Sequence, residues 1–227
     1  MQVGNARYLK PEDVPEIVPV FPLTGGLLLP GAQLPLNIFE PRYLSMVDDA
    51  LAGKRLIGII QPALTAMTQE ESPVAPQAPL SPIGGLGRLT SFAETGDGRY
   101  VISLTGICRF RLFEEASSNK VYRQFKIAPF AADLTTSEDD SQVNRPALLS
   151  AFKAYLKANK LEADWDSVER ANNTTLVNSM SMMSPFSPAE KQALLEAPDL
   201  KTRAETLIAI TEMVLARSSG DFDSVLQ

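Results

Sequence analysis

The stretch at residues 21–43, FPLTGGLLLPGAQLPLNIFEPRY, constrains the fold more than any other part of the chain. It places apolar runs, glycines and prolines within the length of one hairpin and one helix start. Residues 17–23 and 34–39 are predicted to be two buried strands joined by a tight connection, because Pro and Gly bound both apolar runs. Pro19 and Pro22 lack the N–H groups that a ladder needs, so the first strand is predicted to lie at a sheet edge or to carry a bulge.

A helix is predicted to begin at Pro41, since proline is favoured in the first helical turn. Gly53 is predicted to end this helix in the left-handed conformation. Residues 55–61 (RLIGIIQ) follow as a buried strand because their content is apolar and β-branched. The composition then changes, because residues 62–82 hold prolines among Gln, Glu, Ser and Thr. This composition predicts a long loop without a packed element of its own.

The clearest hairpin joins residues 86–95 to residues 99–107 through Gly96-Asp97-Gly98, because two glycines around an aspartate are strong turn chemistry. A further strand is predicted at residues 121–130. The polar residues 133–144 are predicted to form a linker.

The pattern becomes helical after this linker. Ser187 and Glu190 form a capping-box sequence, with Pro188 at the first helical position. Because the strands come first and the helices later, the chain is predicted to have an α+β fold. We predict a β-rich sub-domain at 1–133 and an α-helical sub-domain at 142–217.

Composition excludes several kinds of chemistry. The 227 residues contain no histidine, which removes histidine-based triads and histidine metal ligands, and they contain no P-loop sequence. The net charge of −6 counts against binding to a phosphate backbone as the main task. The chain has a single cysteine, no apolar leader at its N-terminus and no long apolar run. These features predict a cytoplasmic protein outside the membrane.

Several segments together carry a family resemblance. FPL at 21–23, LLLPG at 27–31, LPLNIFEPRY at 34–43 and LIGIIQP at 56–62 resemble the N-terminal domain of the Lon protease family. GLGRLTSFAETGDGRYVISLTGICRFRL at 85–112 and SPFSPAEKQALLEAPDLKTRAETL at 184–207 are similar to its later parts. The pieces occur in order at about the right spacing.

This resemblance implies a PUA-like β-barrel followed by an α-helical bundle, as a stand-alone substrate-binding domain without the ATPase and peptidase parts. Two features depart from the family. The Pro-rich loop at 62–82 is longer, and Gly25-Gly26 replaces a charged pair that is common in full-length Lon enzymes.

Two groups of residues are candidates for an interaction surface. Glu40, Arg42 and Tyr43 stand at the predicted junction of strand and helix. They form either a recognition surface or a structural junction, in which Glu40 favours the helix N-terminus and Arg42 pairs locally. Methionines adapt to varied apolar partners, so a second cluster is either a binding surface or the filling of a seam between sub-domains. Its members are Met180, Met183 and Phe186.

Other polar groups have simpler interpretations. Cys108 stands alone and is interpreted as a buried structural cysteine, because no histidine is present to activate it. Gly84, Gly85 and Gly87 are interpreted as a strand entry rather than a phosphate loop. Arg109 and Arg111, with Arg88 and Arg99, form either a nucleic-acid surface or a solvated, salt-bridged strand face. The acidic run Glu138-Asp139-Asp140 is interpreted as solvated.

Three functional hypotheses follow. The resemblance implies a non-catalytic module that binds unfolded or tagged polypeptide, either as an adaptor in protein quality control or as a decoy of the protease. Peptide is then expected along the surface of the β-domain or in a groove between barrel and bundle. The first alternative is an RNA-binding PUA-like protein, and the second is an enzyme in which Glu40, Arg42 and Tyr43 act on a small molecule. No cofactor, no metal and no Ser–Lys peptidase motif are predicted, and the oligomeric state is left open.

Overall fold

The computed structural model describes residues 1–63, 78–135 and 140–218. Strands dominate the first part of the chain. They are β1 (Gln2–Val3), β2 (Ala6–Arg7), β3 (Ile17–Pro22), β4 (Gln33–Ile38), β5 (Leu56–Ile60), β6 (Ile83–Glu94), β7 (Tyr100–Glu115) and β8 (Gln124–Pro129). The helices are α1 (Pro41–Ala52), α2 (Ala131–Thr135), α3 (Arg145–Ala158), α4 (Trp165–Arg170), α5 (Asn173–Met183), α6 (Pro188–Glu196) and α7 (Leu200–Ser218). A short 3-10 helix covers Pro11–Asp13.

Six strands form one sheet that closes on itself. The strands follow the order β4-β7-β6-β5-β3-β8, and β8 also pairs with β7, so five of them make a ring to which β4 is added. Strands β3 and β5 are parallel, and the other pairs in this sheet are antiparallel. The predicted α+β class with an N-terminal β-barrel is confirmed.

The long strand β7 makes this closure possible. Its first part, from Tyr100 to Thr105, pairs with β4, whereas its later part, from Phe110 to Glu115, pairs with β8. Strand β6 pairs with β7 through the hairpin predicted around Gly96 and Gly98, both of which have positive φ. The apolar side chains that point into the ring form a continuous core, which includes Val18, Val20, Leu86, Ile107, Phe110 and Ile127.

The predicted pairing within residues 17–39 is wrong. Strands β3 and β4 do not form a hairpin, because β3 pairs with β5 and β8 and β4 pairs with β7. Strand β3 lies inside the ring rather than at an edge, and it tolerates its prolines because it changes partner along its length. Pro19 is opposite Gln124 of β8 and Pro22 is opposite Ile60 of β5, so each proline has a paired strand on one side only.

The connection between β3 and β4 is buried instead of forming a tight hairpin turn. Leu27, Leu28 and Leu29 are each at most 2 % exposed. Their backbone crosses two strands at glycines: a Cβ added to Gly85 would lie 2.0 Å from the Leu28 carbonyl oxygen, and one added to Gly106 would lie 2.0 Å from that of Leu29. These glycines therefore let the connection pass against the sheet.

Helix α1 begins at Pro41 as predicted, but its end differs from the prediction. Gly53 has a negative φ of −112°, whereas Arg55 has the left-handed φ of 62°. The Arg55 N–H donates to the Ala50 carbonyl at 2.9 Å, so the reversal comes two residues later than predicted. The capping box at α6 is present as predicted, because the Ser187 N–H donates to the Glu190 carboxylate and the Glu190 N–H donates to the Ser187 hydroxyl.

Two of the predicted polar segments fall wholly or partly outside the described residues. Most of the predicted loop at 62–82 lies there, at 64–77. Its described ends meet in an antiparallel bridge between Pro62 and Leu80. The predicted linker at 133–144 is wrong at its beginning, because helix α2 occupies Ala131–Thr135 and buries Asp133; residues 136–139 lie outside the described residues.

The chain divides into two compact units. The first contains residues 1–137 and 185–195, and the second contains residues 138–184 and 196–227. In the second unit, α7 packs against α3 and α5. The division into a β-barrel sub-domain at 1–133 and an α-helical bundle sub-domain at 142–217 stays a prediction.

Candidate functional site

The first unit carries an open groove of about 370 Å³. The ends of β3 and β4, the first turn of α1, and residues around Leu80 and Val121 line it. The two strand ends do not pair with each other, so no ladder closes the space between them. Most of the lining is apolar, which suits the groove to apolar side chains rather than to a charged small molecule.

Two large apolar side chains at this groove are open to water. Phe39 is 63 % exposed and Val121 is 66 % exposed, and both line the groove. The strand predicted at residues 34–39 ends one residue early: β4 ends at Ile38, and Phe39 lies between β4 and α1. Apolar side chains exposed beside a concave surface mark an interaction site more often than isolated ones do.

The predicted junction of Glu40, Arg42 and Tyr43 is part of the same groove. Arg42 donates to the Glu40 carboxylate from Nε at 3.0 Å and from Nη2 at 2.8 Å. The Arg42 guanidinium also lies 4.7 Å from the centroid of the Tyr43 ring. The local pairing that the sequence suggested is therefore present, and it leaves the two charges neutralising each other within the groove.

Tyr43 forms the floor of the groove together with Phe21. Their ring centroids are 4.3 Å apart with a tilt of 48°. Burial raises the pKa of the Tyr43 hydroxyl, while the neighbouring Arg42 charge opposes this rise and the Glu40 charge supports it. Tyr43 is thus a neutral aromatic surface at physiological pH, and it is not suited to act as a base.

The three members of the second candidate group have different environments. Met180 and Phe186 are buried, whereas Met183 is 83 % exposed. Met180 and Met183 lie in the second unit and Phe186 lies in the first. Only Met183 presents its side chain to water, so the interaction surface predicted for this group rests on that residue.

The arginine cluster does not form the continuous basic face that nucleic acid would need. Arg109 is 2 % exposed and donates to Asp133 from its backbone N–H, Nε and Nη2. The placement of Arg109 on a surface was wrong, because Asp133 of α2 covers it. Arg88 donates to the Tyr8 hydroxyl and the Lys54 carbonyl, and Arg99 pairs with Asp97.

Cys108 and the glycine cluster have structural roles. Cys108 is buried next to Arg109, and this burial raises the pKa of its thiol to about 12. A Cβ on Gly84, Gly85 or Gly87 would lie within 2.7 Å of a neighbouring atom, so these glycines serve close packing inside β6. Within the ranges that the structure covers, no three Cys, Asp or Glu side chains converge as metal ligands do. Asp140 accepts from the Asn173 N–H, and Glu138 and Asp139 lie outside the described residues.

The substrate-binding domain of ATP-dependent protease La (Lon) is the family whose model matches residues 17–212. The chain belongs to this family. In the described residues, 1–63, 78–135 and 140–218, no helix is long and apolar enough to cross a bilayer.

Full-length relatives show the same relationship. The chain is 25 % identical to Lon protease 2 of Myxococcus xanthus over 229 residues, which is 95 % of this chain and 26 % of that protein. It is 29 % identical to the Lon protease of Parabacteroides distasonis over 206 residues, or 88 % of this chain and 24 % of that protein. The chain thus spans about a quarter of the length of the relatives it matches.

Solved structures share the fold. The Lon N-terminal domain protein from Xanthomonas campestris matches with a TM-score of 0.60 and 21 % identity, covering 85 % of this chain and 97 % of that one. The N-terminal domain of the Mycobacterium avium complex Lon protease matches with a TM-score of 0.60 and 19 % identity, covering 86 % and 98 %. The Lon N-terminal fold predicted from the sequence is confirmed.

Proposed function

We propose that this Lon-type domain is a non-catalytic module whose groove binds apolar side chains of unfolded polypeptide. The observation that carries the proposal is the exposure of Phe39 and Val121 on one groove, floored by the rings of Phe21 and Tyr43. Unfolded proteins expose apolar side chains that a folded protein buries. A pocket of this kind can cover such a side chain and remove it from water.

Membership of the Lon substrate-binding family supports polypeptide as the ligand. Relatives such as the Lon protease of Parabacteroides distasonis are named as proteases, whose substrates are polypeptides. An adaptor role in protein quality control, in which the bound polypeptide passes to a protease, extends the same proposal.

The groove is poorly equipped for catalysis. Its lining carboxylate, Glu40, is held by two hydrogen bonds from Arg42, and the chain has no histidine to serve as a base. The groove therefore supports binding better than it supports the small-molecule enzyme among the sequence hypotheses.

Fluorescence anisotropy tests the proposal with a labelled model protein that is kept unfolded by reduction and carboxymethylation. The wild-type chain is expected to raise the anisotropy, and Phe39→Asp and Val121→Asp are each expected to weaken binding about tenfold or more, because a charge enters the apolar rim. Phe113→Asp is the matched control, since Phe113 is 54 % exposed but lies outside the groove lining.

Two results would contradict the proposal. One is a lack of binding at high micromolar protein while circular dichroism shows an intact fold. The other is equal weakening by Phe113→Asp, which would indicate nonspecific contact with any exposed aromatic residue. A signal with labelled RNA that falls steeply with salt would instead favour the nucleic-acid hypothesis.

A further inference from the structure

We propose that the bound polypeptide adds to the sheet as an extended strand along the outer edge of β4. This inference rests on the proposed function and names how the groove holds the main chain of its ligand. The outer edge is the side of β4 that faces away from β7. Within the described ranges β4 pairs with β7 alone, so this edge has no neighbouring strand.

The register of β4 shows which backbone groups face outward. Ala32 is opposite Gly106 in the same register that pairs Gln33 with Thr105, and the Gly106 N–H donates to the Ala32 carbonyl at 2.9 Å. In an antiparallel pair, hydrogen-bonded and non-hydrogen-bonded positions alternate along the strand. Positions 34, 36 and 38 therefore bond to β7, and positions 33, 35 and 37 direct their backbone groups to the outer edge.

The proline in β4 agrees with this alternation. Pro35 falls at an outward position, where its missing N–H removes no bond to β7. The outer edge then offers the N–H groups of Gln33 and Asn37 and the carbonyl groups of Gln33, Pro35 and Asn37. All three residues are exposed, so an incoming strand can reach them.

The edge and the groove meet at Asn37. Asn37 lies on the outer edge and also lines the groove, with Leu36 and Phe39 beside it. A strand on this edge can therefore place one of its side chains in the apolar groove. Strand addition of this kind draws affinity from main-chain hydrogen bonds and specificity from side-chain pockets.

The charge of this surface selects the kind of segment. Residues 33–39, QLPLNIF, carry no charge, so this edge lacks the lysine that commonly keeps an exposed edge from pairing. Pro35 removes one outward N–H and leaves those of Gln33 and Asn37. The charged residues among the groove lining are neutralised locally: Arg42 pairs with Glu40, and Arg123 pairs with Glu115. The neutral surface matches an extended segment without charged side chains.

A second copy of the chain fits this edge less well than a foreign segment does. If two β4 strands paired antiparallel about Pro35, the central positions would face each other without an N–H on either side. A segment with its own N–H group opposite the Pro35 carbonyl avoids this loss. The occupant we propose is therefore an uncharged, extended stretch of unfolded polypeptide.

The test uses Asn37→Pro, with Asn37→Ala as its matched control. Both variants lose the asparagine side chain, but only Asn37→Pro loses the outward N–H. The probe is an end-blocked eight-residue peptide of threonine and valine with one central phenylalanine. Fluorescence anisotropy measures the binding of this peptide. Asn37→Pro is expected to bind about fivefold more weakly than Asn37→Ala, which corresponds to one lost hydrogen bond.

A second arm changes the peptide instead of the protein. Alternate backbone N–H groups of an extended peptide point to opposite sides. Methylation of the nitrogens on the side that faces β4 blocks the bonds to β4, whereas methylation of those on the opposite side leaves the bonds intact. Methylation on the side that faces β4 is expected to weaken binding by tenfold or more relative to methylation on the opposite side. Hydrogen exchange at Gln33 and Asn37 is expected to slow when the unmethylated peptide binds.

The outcomes separate this inference from the proposed function. Strand addition would be overturned if Asn37→Pro and Asn37→Ala bound equally, the two methylated peptides bound equally, and hydrogen exchange at β4 did not change. If Phe39→Asp still lost binding in that case, the groove would remain the binding site. No binding of either the peptide or the unfolded protein would overturn both. Dimers of the chain that form through β4 without peptide, and that Asn37→Pro abolishes, would identify a second copy as the occupant.

Discussion

Arg109 and Asp133 form a buried ion pair between β7 and α2, with three hydrogen bonds of 2.7 to 2.9 Å. Both side chains are 2 % exposed. Arg109 also donates to the Leu195 carbonyl at 3.3 Å, and its guanidinium lies 5.1 Å from the centroid of the Phe130 ring. The pair fixes α2 against the barrel and gives the arginine a structural role.

Removal of one partner of this pair is expected to be costly. Asp133→Ala leaves the Arg109 charge buried without its counter-ion, which typically costs about 3–5 kcal/mol of unfolding free energy. Urea denaturation followed by circular dichroism measures this loss. Glu16→Ala is the control, because the Glu16–Lys126 pair is exposed and its loss is expected to change the midpoint little. Equal midpoints for the two variants would show that the buried pair adds no stability.

The glycines beneath the buried leucine connection are expected to resist substitution. Gly85→Ala and Gly106→Ala would each place a Cβ 2.0 Å from a backbone carbonyl oxygen, so the connection must move. Overpacking of this severity is expected to cost about 3 kcal/mol or more. Thermal unfolding measures the loss, with Ser103→Ala on β7, the strand of Gly106, as a control that adds no atoms. Wild-type melting of Gly106→Ala would show that the connection does not pass against β7.

Local signals in the sequence predicted much of this fold. The turn at Gly96 and Gly98, the helix start at Pro41 and the capping box at Ser187 depend on neighbouring residues, and each is present. The burial of Arg109 depends on Asp133, which lies 24 residues away and reaches it only in the folded chain. Period-two spacing places Arg109 and Arg111 on one strand face, but it does not show that α2 covers Arg109.

Two features of the site were missed for similar reasons. Strands β3 and β4 are close in sequence, and a hairpin was expected, but each finds partners that come later in the chain. The exposure of Phe39 follows from the end of β4 at Ile38, and strand ends are poorly marked in a sequence. The close approach at Gly85 did have a signal, because a glycine inside a strand often marks a nearby backbone.

Cys108 is expected to be unreactive in the folded protein. Burial raises the pKa of its thiol to about 12, so the thiolate is scarce at pH 8 and shielded from reagents. Iodoacetamide labelling at pH 8 is expected to proceed only as the protein unfolds in urea. The buried thiol stays protonated at pH values at which the thiol of the unfolded chain, with its ordinary pKa near 9, has already lost its proton. The stability that the buried thiol contributes therefore falls as the pH rises from about 9 towards 12. Cys108→Ala removes this pH dependence, and rapid labelling of the native protein would contradict the burial.

Asp49 is expected to contribute stability that acid removes. Lys120 and Tyr122 donate to its carboxylate at 2.9 and 2.7 Å, and these bonds lower the pKa of Asp49 below its ordinary value of 3.8. The contribution is present above that value and is lost as pH falls through the lowered pKa. Wild type and Asp49→Asn are therefore expected to differ in urea midpoint at pH 6 and to converge in strong acid.

The Asp49 prediction has a direct check by carbon NMR of the carboxyl group. Tyr122→Phe removes one donor, so the pKa of Asp49 is expected to rise towards its ordinary value. Tyr100→Phe is the matched control, since the Tyr100 hydroxyl donates to Asp48 instead. An unchanged Asp49 titration in Tyr122→Phe would show that the hydroxyl does not hold this carboxylate.

The return of residues 185–195 to the first unit makes residues 138–184 an insertion within it. A fragment cut at residue 137 would lack helix α6, which supplies the Gln192 side chain and the Leu195 carbonyl. Gln61 donates to Gln192 at 3.0 Å, and Gln192 donates to the Ile83 carbonyl at 3.1 Å, so the barrel would lose buried acceptors and donors with that helix. A minimal version of the first unit therefore has to include residues 185–195 together with residues 1–137 instead of ending at the first boundary.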